Sequence, residues 1–261
     1  MHDLSRRREL IRAIEEASGD ALSFADVPAI ANEYLDPTKD RQAFRRYWLN
    51  QRVKGASRWI APEVVDALIA PRRRARPGAP IVLAFDGSYN RDSTALVSAT
   101  IADRPHVEVV RAWERPLSDP GWRAPRNEVL EVVHETLERF DVREFAPDPF
   151  GWHREIEDLE LELGETVVVF PTNRPALMGP AATTFVEDAK DQLFTIDGTD
   201  VLRRHLGNCV TVTRSGFALP TKSTPDSPDK IDAAIGAIVA YARAKFHAAH
   251  PPATRLPWTA V

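Results

Sequence analysis

The sequence predicts an α/β protein, a mixed five-stranded sheet flanked by helices, with a small helical segment in front of it. Three observations predict this class. Short apolar runs ended by turn residues follow one another after residue 80. The periodicity then switches to helical and back more than once, as alternating strands and helices require. A stretch rich in proline, glycine and arginine, 71–80, separates this pattern from an N-terminal part with helical spacing only.

In chain order, residues 1–70 read as helical. Leu4, Leu10, Ile11 and Ile14 recur at helical spacing, as do Val27, Ile30, Ala31 and Tyr34. Asp36-Pro37 breaks the pattern, a third segment covers 44–50, and Ala61-Pro62 opens a fourth helix over 61–70. The linker is 71–80, and the main domain is expected over 81–249. Its first strand is Ile81-Val82-Leu83-Ala84-Phe85, stopped by Asp86-Gly87. Strands are expected at 94–101, 106–113, 142–146 and 166–170. Helices are expected at 126–140, where Val129, Val133, Leu137 and Phe140 share one face, and at 150–163, 177–191 and 198–206. A small strand pair (209–219) and a final helix (228–248) complete the domain. Residues 250–261, with three prolines, read as a loose tail.

Composition sets the outer bounds. A chain of 261 residues with 43% hydrophobic content supports one full core and a smaller appendage, not two large domains. Apolar runs reach about five to six residues, far below the roughly 20 that span a bilayer. The start, Met1-His2-Asp3-Leu4-Ser5-Arg6, lacks the apolar stretch of a signal peptide. Cys209 is the one cysteine, so an internal disulfide is excluded and a reducing cytoplasm fits. The seven histidines do not form the close pairs of zinc sites. A net charge of −4 argues against nonspecific coating of nucleic acid. It suits a site that gathers carboxylates.

Phosphodiester hydrolysis needs hard divalent cations and therefore several converging carboxylates. Their mark is an acid stranded at the end of an apolar strand or within an apolar helix face. Asp86 ends the first strand, and reads equally as the Asp-Gly of a turn. Asp148 follows the fourth strand between two prolines, where a ligand and a helix-capping turn are both open readings. Asp232 stands out more. With Ser227 as N-cap and Pro228 as first residue, Asp229 falls in the first turn, whereas Asp232 lies beyond it among Ile231, Ala233, Ala234 and Ile235. Aspartate is a poor interior helix former, so propensity does not account for Asp232. Asp92 reads first as a solvated turn acid. Lys222 reads as a surface lysine or a phosphate contact, and Arg72 to Arg76 as a solvated linker or a DNA-backbone contact.

Taken together, these segments resemble the nuclease domain of phage large terminases. LAFDGSYNRDSTALV (83–97) looks like that family's first metal-binding hairpin, and DPFGWHREIEDLELELG (148–164) its second motif. The stretch 171–210 is similar to the segment between its second and third motifs, and LPTKSTPDSPDKIDAAIGAIVAYARA (219–244) to its closing lysine-loop-acid-helix motif. FRRYWLNQRVKGASRWI (44–60) resembles the join between motor and nuclease. The resemblance covers roughly residues 25–245. It implies a ribonuclease H-like fold, with Asp86, Asp148 and Asp232 as metal ligands and Asp229, Lys222 and Asp92 as auxiliaries. It also implies Mg²⁺ or Mn²⁺, with two ions expected, and double-stranded concatemeric phage DNA as substrate. In the two-metal scheme Asp86 bridges both ions, and Asp148 and Asp232 each hold one side. The implied partners are a terminase ATPase motor, the small terminase subunit and the portal, in an infected bacterial cytoplasm.

No G-x-x-x-x-G-K-[ST] phosphate loop occurs, so DNA translocation by this polypeptide alone is not expected. Other readings are a junction resolvase, a transposase (disfavoured because many carry glutamate on the last helix), and a DNA- or portal-binding packaging module with a silent site. An unrelated α/β metabolic enzyme would need a dinucleotide fingerprint or nucleophile elbow, and neither is present.

Overall fold

The computed structural model describes residues 6–18, 26–35, 44, 48–49, 58–87, 93–116, 118–119, 121–224, 227 and 229–251. Two compact units are present, Met1–Ser57 and Arg58–Val261.

The first unit contains helices α1 (Arg7–Ser18) and α2 (Val27–Leu35). Their apolar stripes close on each other as the spacing predicts: Leu10 and Ile14 are fully buried and pack with Ile30, Ala31, Tyr34 and Phe44. Most of the third segment expected at 44–50 lies outside the described residues.

The second unit runs α3 (Pro62–Leu68), β1 (Pro80–Gly87), β2 (Ser93–Thr100), β3 (His106–Glu114), α4 (Arg126–Arg139), β4 (Asp141–Pro147), α5 (His153–Leu163), α6 (Pro175–Lys190), β5 (Thr195–Ile196), α7 (Asp200–Asn208), β6 (Val210–Arg214), β7 (Phe217–Thr221) and α8 (Asp232–Ala249). The proline-arginine stretch 71–80 was expected to divide domains. It lies inside this unit, because Trp59, Ile60, Val65 and Leu68 ahead of it belong to the main core.

The five-stranded sheet has the order β4-β1-β2-β3-β5, with β6 and β7 forming a separate hairpin. β2 is antiparallel to β1 and β3, while β4 and β5 are parallel to their neighbours. The fifth strand is not the one expected. Residues 166–170 meet β4 through an isolated bridge, Phe145 with Val167, and two bonds in which Val168 N and Phe170 N donate to Phe145 O and Pro147 O. The sheet instead gains Thr195–Ile196 beside β3, a pair too short to show any alternation in sequence.

Both faces of the sheet are covered, which explains the unbroken apolar run of β1. Alternation sorts the side chains. Val82 and Ala84 of β1, Ala95, Val97 and Ala99 of β2, and Ala146 of β4 point into the core made by α3, α6, α7 and α8. Leu83, Phe85, Leu96 and Phe145 point into the opposite core, against α4 and α5. Helix α8 lies over the middle of the sheet and is buried along most of its length, with Ala233, Ala234, Gly236, Ala237, Ala240 and Ala244 providing close approach. At Gly236 a Cβ would stand 2.9 Å from Val97 Cγ2. Gly236→Val is therefore expected to destabilise the protein by about 1–3 kcal/mol through overpacking. A urea midpoint shift with unchanged slope would measure it, and a neutral substitution would show that α8 rides looser on the sheet than its contacts indicate.

Candidate metal centre

Period-two alternation carries the same parity to the ends of β1 and β2 and one residue past β4. Two residues after Ala84 comes Asp86, and two after Ala146 comes Asp148. Ser93 stands two before Ala95. All three therefore face α8, at the edge of the sheet where its first turn begins. The backbone ladder continues to hold them: Asp86 is registered opposite Ala95, and Asp148 N donates to Phe85 O at 2.8 Å.

Asp232 is the first residue of α8, not an interior one. The helix begins four residues later than expected, so Ser227 and Asp229 remain in the preceding loop. The helix dipole thus gives Asp232 a local reason to exist, and the propensity argument does not hold for it. What singles it out is its surroundings. Its carboxylate is buried and accepts a hydrogen bond from the buried Ser93 hydroxyl, on the strand facing it.

A pocket of about 250 Å³ opens here, lined by Asp86, Asp232, Lys222, Thr172, Asn173 and Arg214 among others. Burial pushes the Asp86 carboxyl well above the usual carboxylate range, and the charges of Asp232 and Asp148 push it further, as does a side-chain hydrogen bond with Asp148. Lys222 opposes the shift. Asp148 is buried; its Oδ2 accepts from Thr172 Oγ1 at 2.7 Å. Burial also raises Asp232, against the Ser93 bond and the nearby Lys222 and Lys230 charges. Lys222 is itself shifted down by burial, while Asp232, Asp86 and Asp229 pull it back up. The site is a set of hard oxygen donors whose mutual repulsion a cation would relieve.

Among the described residues no three His, Cys, Asp or Glu side chains are preassembled as a metal cage. Oxygens that a cation would take on Asp232 and Asp148 are engaged with Ser93 and Thr172. The donor chemistry fits a divalent ion, and those bonds are the ones it would replace. Asp229 is exposed, with its carboxylate accepting from Ser227 Oγ at 3.1 Å, and it reaches the pocket only through its field on Lys222. Asp92 lies outside the described residues.

No protein-family model matches the sequence. The gene 13 protein of Mycobacterium phage D29 is 29% identical over 90% of this chain, which spans 43% of that protein. The large terminase nuclease of thermophilic phage G20c with bound magnesium superposes with a TM-score of 0.51 and 13% identity, over 69% of this chain and 95% of that one. The chain carries the large terminase nuclease fold. The large terminase of bacteriophage HK97 shares it with a TM-score of 0.59 and 21% identity, over 91% of this chain but 54% of that one. The chain thus spans about half the length of the HK97 terminase and less than half of the D29 protein.

Sequence reasoning missed the residues that orient the acids. Ser93 and Thr172 carry no chemical signature, although the parity of β2 marks Ser93 once Ala95 is known to face the helix. No helix among the described residues is long and apolar enough to cross a membrane.

Proposed function

We propose that this chain is a divalent-metal-dependent endonuclease for double-stranded DNA, the nuclease portion of a phage large terminase. The observation that carries the reading is the meeting of Asp86, from β1, and Asp232, from α8, on one pocket with Lys222, with Asp148 close enough beside Asp86 for its charge to act on it. The likeness to a terminase nuclease with bound magnesium supports the choice of ion.

In this reading Asp86, Asp148 and Asp232 hold Mg²⁺ or Mn²⁺, two ions being the proposed number. The ions supply Lewis-acid polarisation of the phosphate and an acidified attacking water. The chain's own residues do the rest. Ser93 and Thr172 orient the carboxylates of Asp232 and Asp148. Lys222, a compact cation on the same pocket wall, holds a phosphate oxygen. Asp229 tempers the charge of that lysine from the loop. Concatemeric phage DNA is the proposed substrate, cut during genome packaging in the infected host cytoplasm with an ATPase motor, small terminase subunit and portal. Residues before 58 are proposed as the helical segment leading into the nuclease.

Supercoiled plasmid incubated with the full chain tests this directly. Nicked and linear products are expected with Mg²⁺ or Mn²⁺ and not with EDTA. DNA binding without cleavage under any divalent ion would leave a packaging module with a silent site in its place.

A further inference from the structure

The N-cap residue of helix α8, Ile231, makes no side-chain cap bond, and Ser227, the cap expected from sequence, bonds Asp229 instead. The cap comes from 28 residues away. Ala233 N donates to Nδ1 of His205 at 3.0 Å, and His205 is fully buried on α7. A backbone N–H only donates, so Nδ1 carries a lone pair and the ring hydrogen sits on Nε2. Nε2 stands 2.6 Å from Glu114 Oε1, at the end of β3, and donates to it. Glu114 in turn accepts from Arg204 Nη2 on both oxygens, at 3.0 and 3.1 Å. Burial opposes ionisation of Glu114, but the bonds from His205 and Arg204 hold its carboxyl below the usual range. Burial keeps His205 itself below the usual histidine range, in agreement with the tautomer its partners impose. A second tie runs from α7 to the loop just before α8: Asn208 Nδ2 donates to Lys230 O at 2.9 Å. The two bonds, at residues 230 and 233, straddle Asp232.

We propose that His205 is a positioning residue of the acidic pocket: held by Glu114, its ring caps α8 through Ala233 and thereby fixes Asp232 where a cation needs it. The inference rests on the reading of Asp86, Asp148 and Asp232 as cation ligands. A ligand must be held to within about 0.5 Å by its supporting shell, and loss of such support costs about 10–100-fold in metal affinity. Among the described residues of the loop before α8, neither Ile231 nor another side chain supplies this bond at Ala233.

Two substitutions separate the two ends of the ring. His205→Asn keeps an acceptor near the Nδ1 position and gives up the bond to Glu114. His205→Gln reaches toward Glu114 and leaves Ala233 N–H without its partner. Mn²⁺ binding to the full-length chain, followed by calorimetry alongside far-ultraviolet circular dichroism, reads the result. Expected is a loss of about 10–100-fold for folded His205→Gln, with His205→Asn within about threefold of wild type. Wild-type affinity in His205→Gln overturns the proposal. So does a folded His205→Asn that binds as weakly as expected for His205→Gln, and this second criterion stands even if the glutamine variant does not fold. Failure of the wild-type chain to bind Mn²⁺, or undiminished binding by Asp232→Asn, overturns the pocket reading itself and the inference with it.

Discussion

Asp86→Asn is expected to lose metal-dependent DNA cleavage by about a thousandfold or more, and yet to melt at a higher temperature than wild type when no metal is present. The first effect follows from the size of metal-ion stabilisation, several kcal/mol of transition-state charge, with each 1.36 kcal/mol worth about tenfold. The second follows from the direction of the Asp86 shift. Burial and the charges of Asp232 and Asp148 raise its carboxyl in the folded state above its unfolded value. An acid raised in this way is held protonated more firmly by the folded protein. The stability this group contributes is therefore fully present below its unfolded carboxylate value and is lost as pH rises through the raised folded value. Asparagine carries no charge to repel, so the fall is smaller in the variant. Asp232 is raised as well, and the same sign applies to it. Thermal melts in EDTA at pH 5 and pH 8 should show a larger advantage of the variant at pH 8 than at pH 5, and added Mn²⁺ should stabilise wild type more than the variant. Full cleavage by Asp86→Asn, or a lower melting point than wild type in EDTA at pH 8, counts against the metal centre.

Phe185→Ala is expected to cost about 3–5 kcal/mol, a large part of the 5–15 kcal/mol by which folded domains are typically stable. Phe185 is fully buried on α6, and its ring meets Trp59 at 5.8 Å, Phe194 at 4.8 Å and Tyr241 at 5.8 Å between centroids. These rings join α6, α8 and the segment before α3, so the void left by truncation is bordered by elements that cannot all close on it. Tyr241 is further tied by donating its hydroxyl to Asp188 Oδ2 at 2.6 Å. Leu161, 87% exposed on α5, is a control at which Leu161→Ala should change stability by less than about 0.5 kcal/mol. Chemical denaturation compares the two. A cost at Phe185 below about 1.5 kcal/mol would mean that this aromatic cluster is not the centre of the core.

Much of this was legible before any coordinates. The apolar runs located β1 to β4 within a residue or two, because a strand buried on both faces needs an unbroken apolar stretch. Asp86, Asp148 and Asp232 were legible as acids among apolar neighbours, and Lys222 by its place in the closing motif. The reason first given for Asp232 did not survive. Local cap preferences pointed to Ser227 and Pro228, but the helix starts where His205 can accept a backbone N–H, and a partner 28 positions away leaves no trace in local spacing. The fifth strand was misplaced for a related reason: two residues, Thr195–Ile196, join the sheet because β3 offers them an edge, not because they alternate.

The amino-acid sequence by itself determined strands β1 to β4 and most of the helices, and which acids stand where solubility does not call for them. These depend on periodicity and on neighbours in the chain. Only the tertiary structure decided that strand parity turns Asp86, Asp148 and Ser93 toward the same helix, and that Glu114 and His205 set the point at which that helix begins. Such choices rest on hydrogen bonds between residues far apart in sequence, whose partners exist only once the sheet and α8 have packed together.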